Sequence, residues 1–392
     1  MGAERDDDRY EKLRVEAVER LGLIDTPSEE RFDRITRIAR EIFAVPVAEI
    51  NFIDDHQQFT KSPQFDGHGA SIERSNSFCE VTIQRPELMV VPDATIDPRF
   101  SHRKPAWDER HIRFYAGRPL SLGDDMRVGT LCLVDTSPRE FDAEQQRLLD
   151  ERGSWVEREL QETADRDRAA EVQQRLLPRD QPSWPDYDLA GVCLPAKNVG
   201  GDFYSWHGSE TGIEFTLADV MGKGTAGAIM AAAVRTAFQA RTGDDVVSAI
   251  ERVNAQLADD LDQIGGFATL VHGVIDIPTG RLDYADAGHG LTLLVRADGS
   301  FERLEASGLR IGIVAVGLGT HGVAELGAGD RLITFTDGLL DLFDGTLDCL
   351  PEVARLVQEA DGPQDAVARV ASLTASSRAV GDDVTVVVVG RR

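Results

Sequence analysis

Four aspartates, Asp202, Asp219, Asp337 and Asp382, each stand where an apolar, β-like run gives way to a glycine or a second acid, all in the C-terminal half. This pattern restricts the fold. Ionised carboxylates that meet in a cleft repel one another and lose hydration, so a chain that gathers them at strand ends needs cations to hold them there. Oxygen-only donors favour Mg²⁺, Mn²⁺ or Ca²⁺ over zinc. The four positions are far apart in sequence, so only a fold that returns the chain repeatedly to one edge brings them together. Asp and Gly also end strands for purely structural reasons.

With 392 residues, 28% of them charged, the chain can build two domains with a core each and a connector. A formal net charge of −26 opposes a polyphosphate backbone or an anionic bilayer, which excludes general nucleic-acid and membrane-surface binding. Cys79, Cys132, Cys193 and Cys349 are dispersed and show no CxxC spacing, as expected of reduced thiols in a cytoplasmic protein. No apolar run approaches the roughly 18 residues of a membrane span, and the N-terminus, MGAERDDDRYEKLR, has no signal-peptide core.

In the N-terminal half, Phe32, Ile35, Ile38, Ala39 and Ile42 recur at helical spacing and predict an amphipathic helix over 29–42, with Pro27 and Ser28 at its start. Residues 45–53, 89–91, 114–119 and 128–134 read as strands, with Gly123-Asp124-Asp125 turning between the last two. The segments "LGLIDTPSEERFDRITRIAREIFAVPVAEINFID", "SFCEVTI", "VVPDATIDPRF", "IRFYAGRPL" and "VGTLCLVD" resemble, in that order, a bacterial GAF sensor domain over residues 10–160. The resemblance implies an antiparallel sheet with flanking helices, and either a small-molecule ligand that the sequence does not name or a dimerisation role.

Residues 141–178 are rich in Glu, Arg, Gln and Ala, stop at Pro178 and predict a long helical linker that overlaps the end of the first domain. Leu149, Val156, Leu160, Ala170 and Leu177 approximate a heptad seam that Thr163, Asp167 and Gln174 interrupt. A connector packed on its own domains and a self-pairing helix that makes a homodimer are both open readings. The three prolines between Arg179 and Tyr187 mark the boundary of a second domain, 179–392.

That second half is β-rich, with strand-like runs at 189–194, 213–217, 267–277, 291–295, 331–335 and 384–389 and helical runs near 226–240, 246–261, 351–359 and 363–372. Strands broken by Gly and Asp turns, with helices in adjacent blocks, predict an α+β sandwich with largely antiparallel sheets rather than a Rossmann sheet. In Gly200-Gly201-Asp202 the glycines let the chain turn while the acid points to a cleft. Asp219 ends a strand before Gly222-Lys223-Gly224, with Thr225 as a helix cap. The Walker spacing is absent there, which excludes a nucleotide-triphosphate loop. His289, in Asp286-Ala287-Gly288-His289-Gly290, invites a general-acid role but reads better as a structural hydrogen-bonding residue.

The set "VGGDFY", "ADVMGKG", "FATLVHGVIDIPTGRLDYADAGH", "ITFTDGLLD" and "GDDVTVVVV" looks like the SpoIIE-like branch of the metal-dependent PPM protein phosphatases over about residues 170–392. Gly290, where the family commonly has proline, and "GLRIG" at 308–312, where a Leu-Gly pairing is usual, are modest departures. The resemblance implies an αββα sandwich with two Mn²⁺ or Mg²⁺ ions between its sheets. By motif, Asp219 would bridge the ions with the Val220 carbonyl beside it, Asp337 and Asp382 would hold one ion, and Asp202 would serve the other directly or through a water. Asp383 would stand behind these ligands, and Gly222, Lys223 and Gly224 would shape the mouth. It implies direct hydrolysis of phosphoserine or phosphothreonine, without a phospho-enzyme, on a phosphorylated STAS-type anti-anti-sigma factor under control of the GAF domain. A catalytically silent metal-binding module acting through protein–protein contacts is the alternative, and a nucleotide cyclase or phosphodiesterase is a weaker third, lacking its own motifs.

Overall fold

β-Branched and aromatic residues are frequent in the strand-forming segments, and the two-residue period of a strand sorts their side chains onto two faces. The computed structural model describes residues 3–62, 71–100, 111–123, 125–178, 184–222, 224–304, 308–313, 320–377 and 381–392. It divides into two units, Met1–Asp165 and Arg166–Arg392.

In the first unit, helices α1 (Ala3–Leu21) and α2 (Glu30–Phe43) precede strands β1 (Val47–Ile53), β2 (Gln57–Thr60) and β3 (Ser71–Glu73). A short helix α3 (Phe78–Thr82), then β4 (Met89–Val91), β5 (Phe114–Leu122), β6 (Met126–Asp135) and the long helix α4 (Ala143–Leu176) follow. The strands form one antiparallel sheet in the order β3-β2-β1-β6-β5-β4. One face packs Ile50, Phe52, Leu131 and Leu133 against Val18 of α1, Phe32 and Ile35 of α2, and Leu149, Val156 and Leu160 of α4. The other packs Tyr115 and Val134 against Phe78 and Cys79 of α3.

Three of the five seam positions in the linker helix are therefore consumed by the core of this unit. Two details differ from the sequence reading. Ile42 is exposed, and Thr36 and Phe43 are buried in its stead, because the buried stripe of α2 is centred one position away from the one the periodicity picks. Helix α1, too polar to register as amphipathic from its composition, is also present. Of the turn after β5, Asp124 lies outside the described residues, while Gly123 and Asp125 both take positive φ.

An ion network ties α1 to this sheet. The Glu11 carboxylate accepts from Arg14 Nε at 2.8 Å and from Arg74 Nη1 at 2.6 Å, and Arg14, itself buried, donates onward to the Ile53 carbonyl. Burial raises the Glu11 pKa, but hydrogen bonds and charge from Arg14 and Arg74 outweigh it and hold the group down at about 2. A carboxylate with a depressed folded pKa contributes stability above its unfolded value and loses it as pH falls through the folded one. The first unit is thus expected to lose stability between pH 4.5 and about 2. The share due to Glu11 is about 1 kcal/mol once solvent screening is counted. Denaturant midpoints for the parent and Glu11→Gln, converging as pH falls, check this.

The second unit is a four-layer sandwich. One antiparallel sheet has the order β14-β11-β10-β9-β8 and comprises β8 (Asp202–Gly208), β9 (Gly212–Val220), β10 (Ala268–Asp276), β11 (Arg281–Ala287) and β14 (Thr320–Glu325). The other has the order β13-β12-β15-β16-β7 and comprises β7 (Tyr187–Leu194), β12 (Thr292–Val295), β13 (Phe301–Arg303), β15 (Arg331–Phe335) and β16 (Val384–Arg391). Between the sheets lie Leu189, Ile213, Phe215, Leu217, Val271, Leu332 and Val387. Helices α5 (Thr225–Gln239) and α6 (Val246–Gln263) cover the first sheet, and α7 (Leu350–Gln358) and α8 (Pro363–Ser376) cover the second. The expected αββα arrangement is what forms. Strands at 202–208 and 281–287 were not evident from the sequence, since Asp, His, Gly and Arg dilute their β signal.

Candidate metal centre

The alternation that builds the space between the sheets also delivers the acids to its end. Along β9, Ile213, Phe215 and Leu217 face the second sheet, and two residues on the same face is taken by Asp219. On β8 the same parity carries Tyr204 back to Asp202, which pairs with Asp219 across the ladder. From the other sheet, Leu332 and Thr334 lead to Thr336 beyond β15, and Val387 and Thr385 lead back to Asp383 before β16. An apolar layer thus ends in a polar rim.

A cavity of about 350 Å³ opens at that rim, and Asp219, Val220, Gly222, Asp337, Asp382 and Asp383 line it. Asp202 is set back from it, buried, with its Oδ2 accepting from Thr336 Oγ1 at 2.7 Å. The Thr336 hydroxyl is oriented in turn by the Thr385 N–H at 2.9 Å. Asp337 opens a 3₁₀ turn after β15. Asp383 braces the loop before β8, since its Oδ1 accepts from Ala196 N and its Oδ2 from Gly201 N, both at 2.8 Å. Asp382 Oδ1 accepts from the Asp383 N–H at 2.9 Å.

Glycines make this closeness available. A Cβ on Gly201 would fall inside 3.0 Å of the Val220 carbonyl oxygen, and one on Gly227 would strike the Gly222 carbonyl. Gly222 and Gly224 have φ of +129° and +82°, a region side chains avoid. Gly224 is the cap of α5 and Thr225 its first helical residue, with no side-chain cap bond, so the expected Thr225 cap moves by one position. Lys223 lies outside the described residues.

Burial, and then the charges of Asp337, Asp382 and Asp383, push Asp219 up to about 6. Burial and then Asp219 raise Asp202 well above the usual carboxylate range. Unneutralised negative charge of this kind, offered by oxygen donors alone, fits a hard divalent cation in charge and donor type. Among the described residues no group of three or more His, Cys, Asp or Glu side chains converges into a closed metal-binding set.

His289 also lines the cavity, but burial pushes it down to about 4 and keeps it neutral. Its backbone N–H donates to Asp286 Oδ1 at 2.7 Å, and its Nε2 lies 3.3 Å from Thr334 Oγ1. Sequence reasoning missed two residues at the site. Arg310 lines the cavity with its guanidinium 4.5 Å over the Phe267 ring, and no ion pair engages it among the described residues. The available signal was an arginine inside "GLRIG". For Thr336 it was the parity with Leu332 and Thr334.

Residues 209–392 match the family model of stage II sporulation protein E, SpoIIE, and residues 27–160 match that of the GAF domain. The chain thus joins two family matches, GAF in its first unit and SpoIIE in its second. Its SpoIIE-type unit is the one that carries the acid-lined cavity. Among curated relatives, the chain is 28% identical over 196 residues to the phosphoserine phosphatase RsbU of Bacillus subtilis, which is 49% of this chain and 58% of that protein. It is 35% identical over 132 residues to a cyclic di-GMP phosphodiesterase of Pseudomonas aeruginosa, 33% of this chain and 22% of the relative. Among solved structures, the PP2C domain of SiaA from Pseudomonas aeruginosa aligns at 23% identity with a TM-score of 0.49, over 58% of this chain and 96% of that one. The chain thus spans from about a fifth to under three fifths of the length of these two curated relatives. Among the described residues no helix is long and apolar enough to cross a membrane.

Proposed function

We propose that the SpoIIE-type unit, residues 179–392, hydrolyses phosphoserine or phosphothreonine on a protein with divalent-metal dependence, and that the GAF unit, residues 10–160, regulates it. The observation that carries this reading is the cavity that Asp219, Asp337, Asp382 and Asp383 line at the ends of both sheets, with Arg310 at the same mouth. The named activity of the RsbU relative supports it.

Asp202, Asp219, Asp337, Asp382 and the Val220 carbonyl would hold Mn²⁺ or Mg²⁺ ions, two by the resemblance. When bound, these supply positive charge against the phosphoryl group and activate a water. Asp383 acts from behind, fixing the loop that presents Gly201 and Asp202. Thr336 holds the Asp202 carboxylate in one orientation. Neutral His289 shapes the wall without adding charge. Arg310, stacked on Phe267, donates its fork of N–H groups to the phosphoryl oxygens. The substrate would be a phosphorylated STAS-type anti-anti-sigma factor, and the GAF unit would take a small-molecule ligand.

Release of inorganic phosphate from a phosphoserine peptide by the full chain tests the reading, with turnover expected in Mn²⁺ or Mg²⁺ and none after chelation. A chain that releases no phosphate from peptide or aryl ester with either ion would be the silent module instead. Arg310→Ala is expected to lower kcat/KM by about 10- to 100-fold, the 1.5–3 kcal/mol of a hydrogen bond to a charged group. The loss falls mainly on KM if Arg310 binds the ground-state dianion, and steady-state kinetics on the same peptide read the split.

A further inference from the structure

Residues 195–201 connect β7 to β8 and end on Asp202, so the shape of this segment decides where that carboxylate starts. The segment also touches the neighbouring strand. The Gly201 carbonyl accepts from Val220 N at 3.2 Å, and the Val220 carbonyl oxygen lies against the α-carbon of Gly201, where no Cβ would fit. A shift of the segment therefore moves two of the proposed metal-holding groups at once, the Asp202 carboxylate and the Val220 carbonyl.

Irregular backbone is fixed by the partners that its N–H and C=O groups find. Asp383 takes two of these groups, Ala196 N and Gly201 N. Gly200, between them in the chain, is buried and pressed against the same side chain, since a Cβ there would lie 2.1 Å from Asp383 Oδ2. Both of its backbone groups go to a single residue on the other side. Gly200 N donates to Gln173 Oε1 at 3.0 Å, and Gln173 Nε2 donates to the Gly200 carbonyl at 2.7 Å. Two opposed bonds to one planar amide hold the loop against rotation as well as displacement.

Gln173 lies in the last turn of α4, within the second unit. That turn is itself anchored, because Leu177, just past the helix end, packs on the core clusters that contain Phe203 and Tyr204. A further bond, from Asn198 Nδ2 to Asp167 Oδ1 at 2.9 Å, ties the same loop to the same helix at the surface. Among side chains only Asn and Gln offer donor and acceptor on one planar amide, and Asn is a methylene shorter.

We propose that Gln173 is a positioning residue for the metal centre. By closing both backbone groups of Gly200 it holds the turn into Asp202 in the arrangement in which Asp202 and the Val220 carbonyl hold cations. The proposal rests on the reading of those two groups as metal-holding.

Gln173→Glu is the test, because the carboxylate keeps an acceptor for Gly200 N but sets an oxygen against the Gly200 carbonyl. Mn²⁺ binding to the full chain is read from the electron paramagnetic resonance signal of the free ion, which needs no turnover. The expected result is affinity weaker by about 10- to 100-fold, the range for losing a group that orients a metal ligand. Gln174→Glu, at an exposed position one residue on, adds the same charge to the same helix and is expected to bind Mn²⁺ like the parent. Added negative charge by itself attracts cations, so weaker binding in Gln173→Glu reads lost geometry. Gln173→Met, of similar length with no polar group, is the second variant and is expected to weaken binding likewise. Parent-like Mn²⁺ affinity in whichever of the two folds overturns the proposal, as does equal weakening in Gln174→Glu. If neither folds, Gln173 serves stability alone and the proposal falls. A parent that binds no Mn²⁺ overturns the metal reading itself, so the two failures are distinguishable.

Discussion

Asp219→Asn is expected to lower metal-dependent phosphate release by roughly 10²–10³-fold or more, the scale for removing one charge-stabilising group from a preorganised site. Its position explains the size. Asp219 sits where β9 ends on the face between the sheets, beside three other carboxylates that line the same cavity. The amide keeps the shape and the neighbours but removes the charge that would hold a cation. The same change is expected to leave the metal-free fold as stable as the parent or more so, because a half-buried anion crowded by Asp337, Asp382 and Asp383 is a liability without a counter-ion. Kinetics and denaturant midpoints, each with and without Mn²⁺, separate the effects. Loss of activity with a parent-like metal-induced gain in stability would place the cations elsewhere. Retained activity would remove Asp219 from the site.

The second large effect is expected from a methyl group. In Gly201→Ala the new Cβ meets the Val220 carbonyl oxygen, which is backbone and cannot rotate away. The two strands must part at the point where Asp202 and Asp219 pair. Overpacking of this kind costs about 1–3 kcal/mol, and a displacement near 1 Å at a reacting centre costs roughly 10²-fold in rate. Gly362→Ala is the control, since its φ of 171° is ordinary extended backbone and its Cβ meets nothing within 4 Å. Activity close to the parent in Gly201→Ala, with a folded chain, would mean that the Val220 carbonyl tolerates movement and is not a ligand.

The two substitutions bear on why the site was partly legible before the structure. Asp219, Asp337 and Asp382 stand out because each interrupts a run of apolar residues beside glycine or a second acid, and that interruption has few cheap explanations. Asp202 was legible as an acid after two glycines, but not as a buried one, because its burial depends on Thr336 from the other sheet. Asp383 was placed behind the ligands by the resemblance alone. Its work, accepting two backbone N–H groups from a loop more than 180 positions away, is long-range and leaves no local pattern. Arg310 was missed for the same reason, since what marks it is the ring of Phe267, 43 residues earlier, beneath its guanidinium. Among the strands, the valine run at 384–389 announced itself. Residues 281–287 did not, because only the alternate residues Leu282 and Tyr284 feed the central core and the rest are charged or small.

In the second sheet, β7 lies at one edge and hydrogen-bonds to β16, with Leu189 opposite Val389, 200 positions on. A ribosome must therefore release the whole intervening chain before the opening strand of this unit acquires its neighbour. Until then, its backbone donors and acceptors stay exposed to solvent and to other nascent chains. Closing so long a loop is slow, and newly made molecules pass through an interval in which aggregation competes with maturation. The strand that ends this interval follows directly on Asp382 and Asp383, so competence for chemistry and completion of the sandwich arrive together.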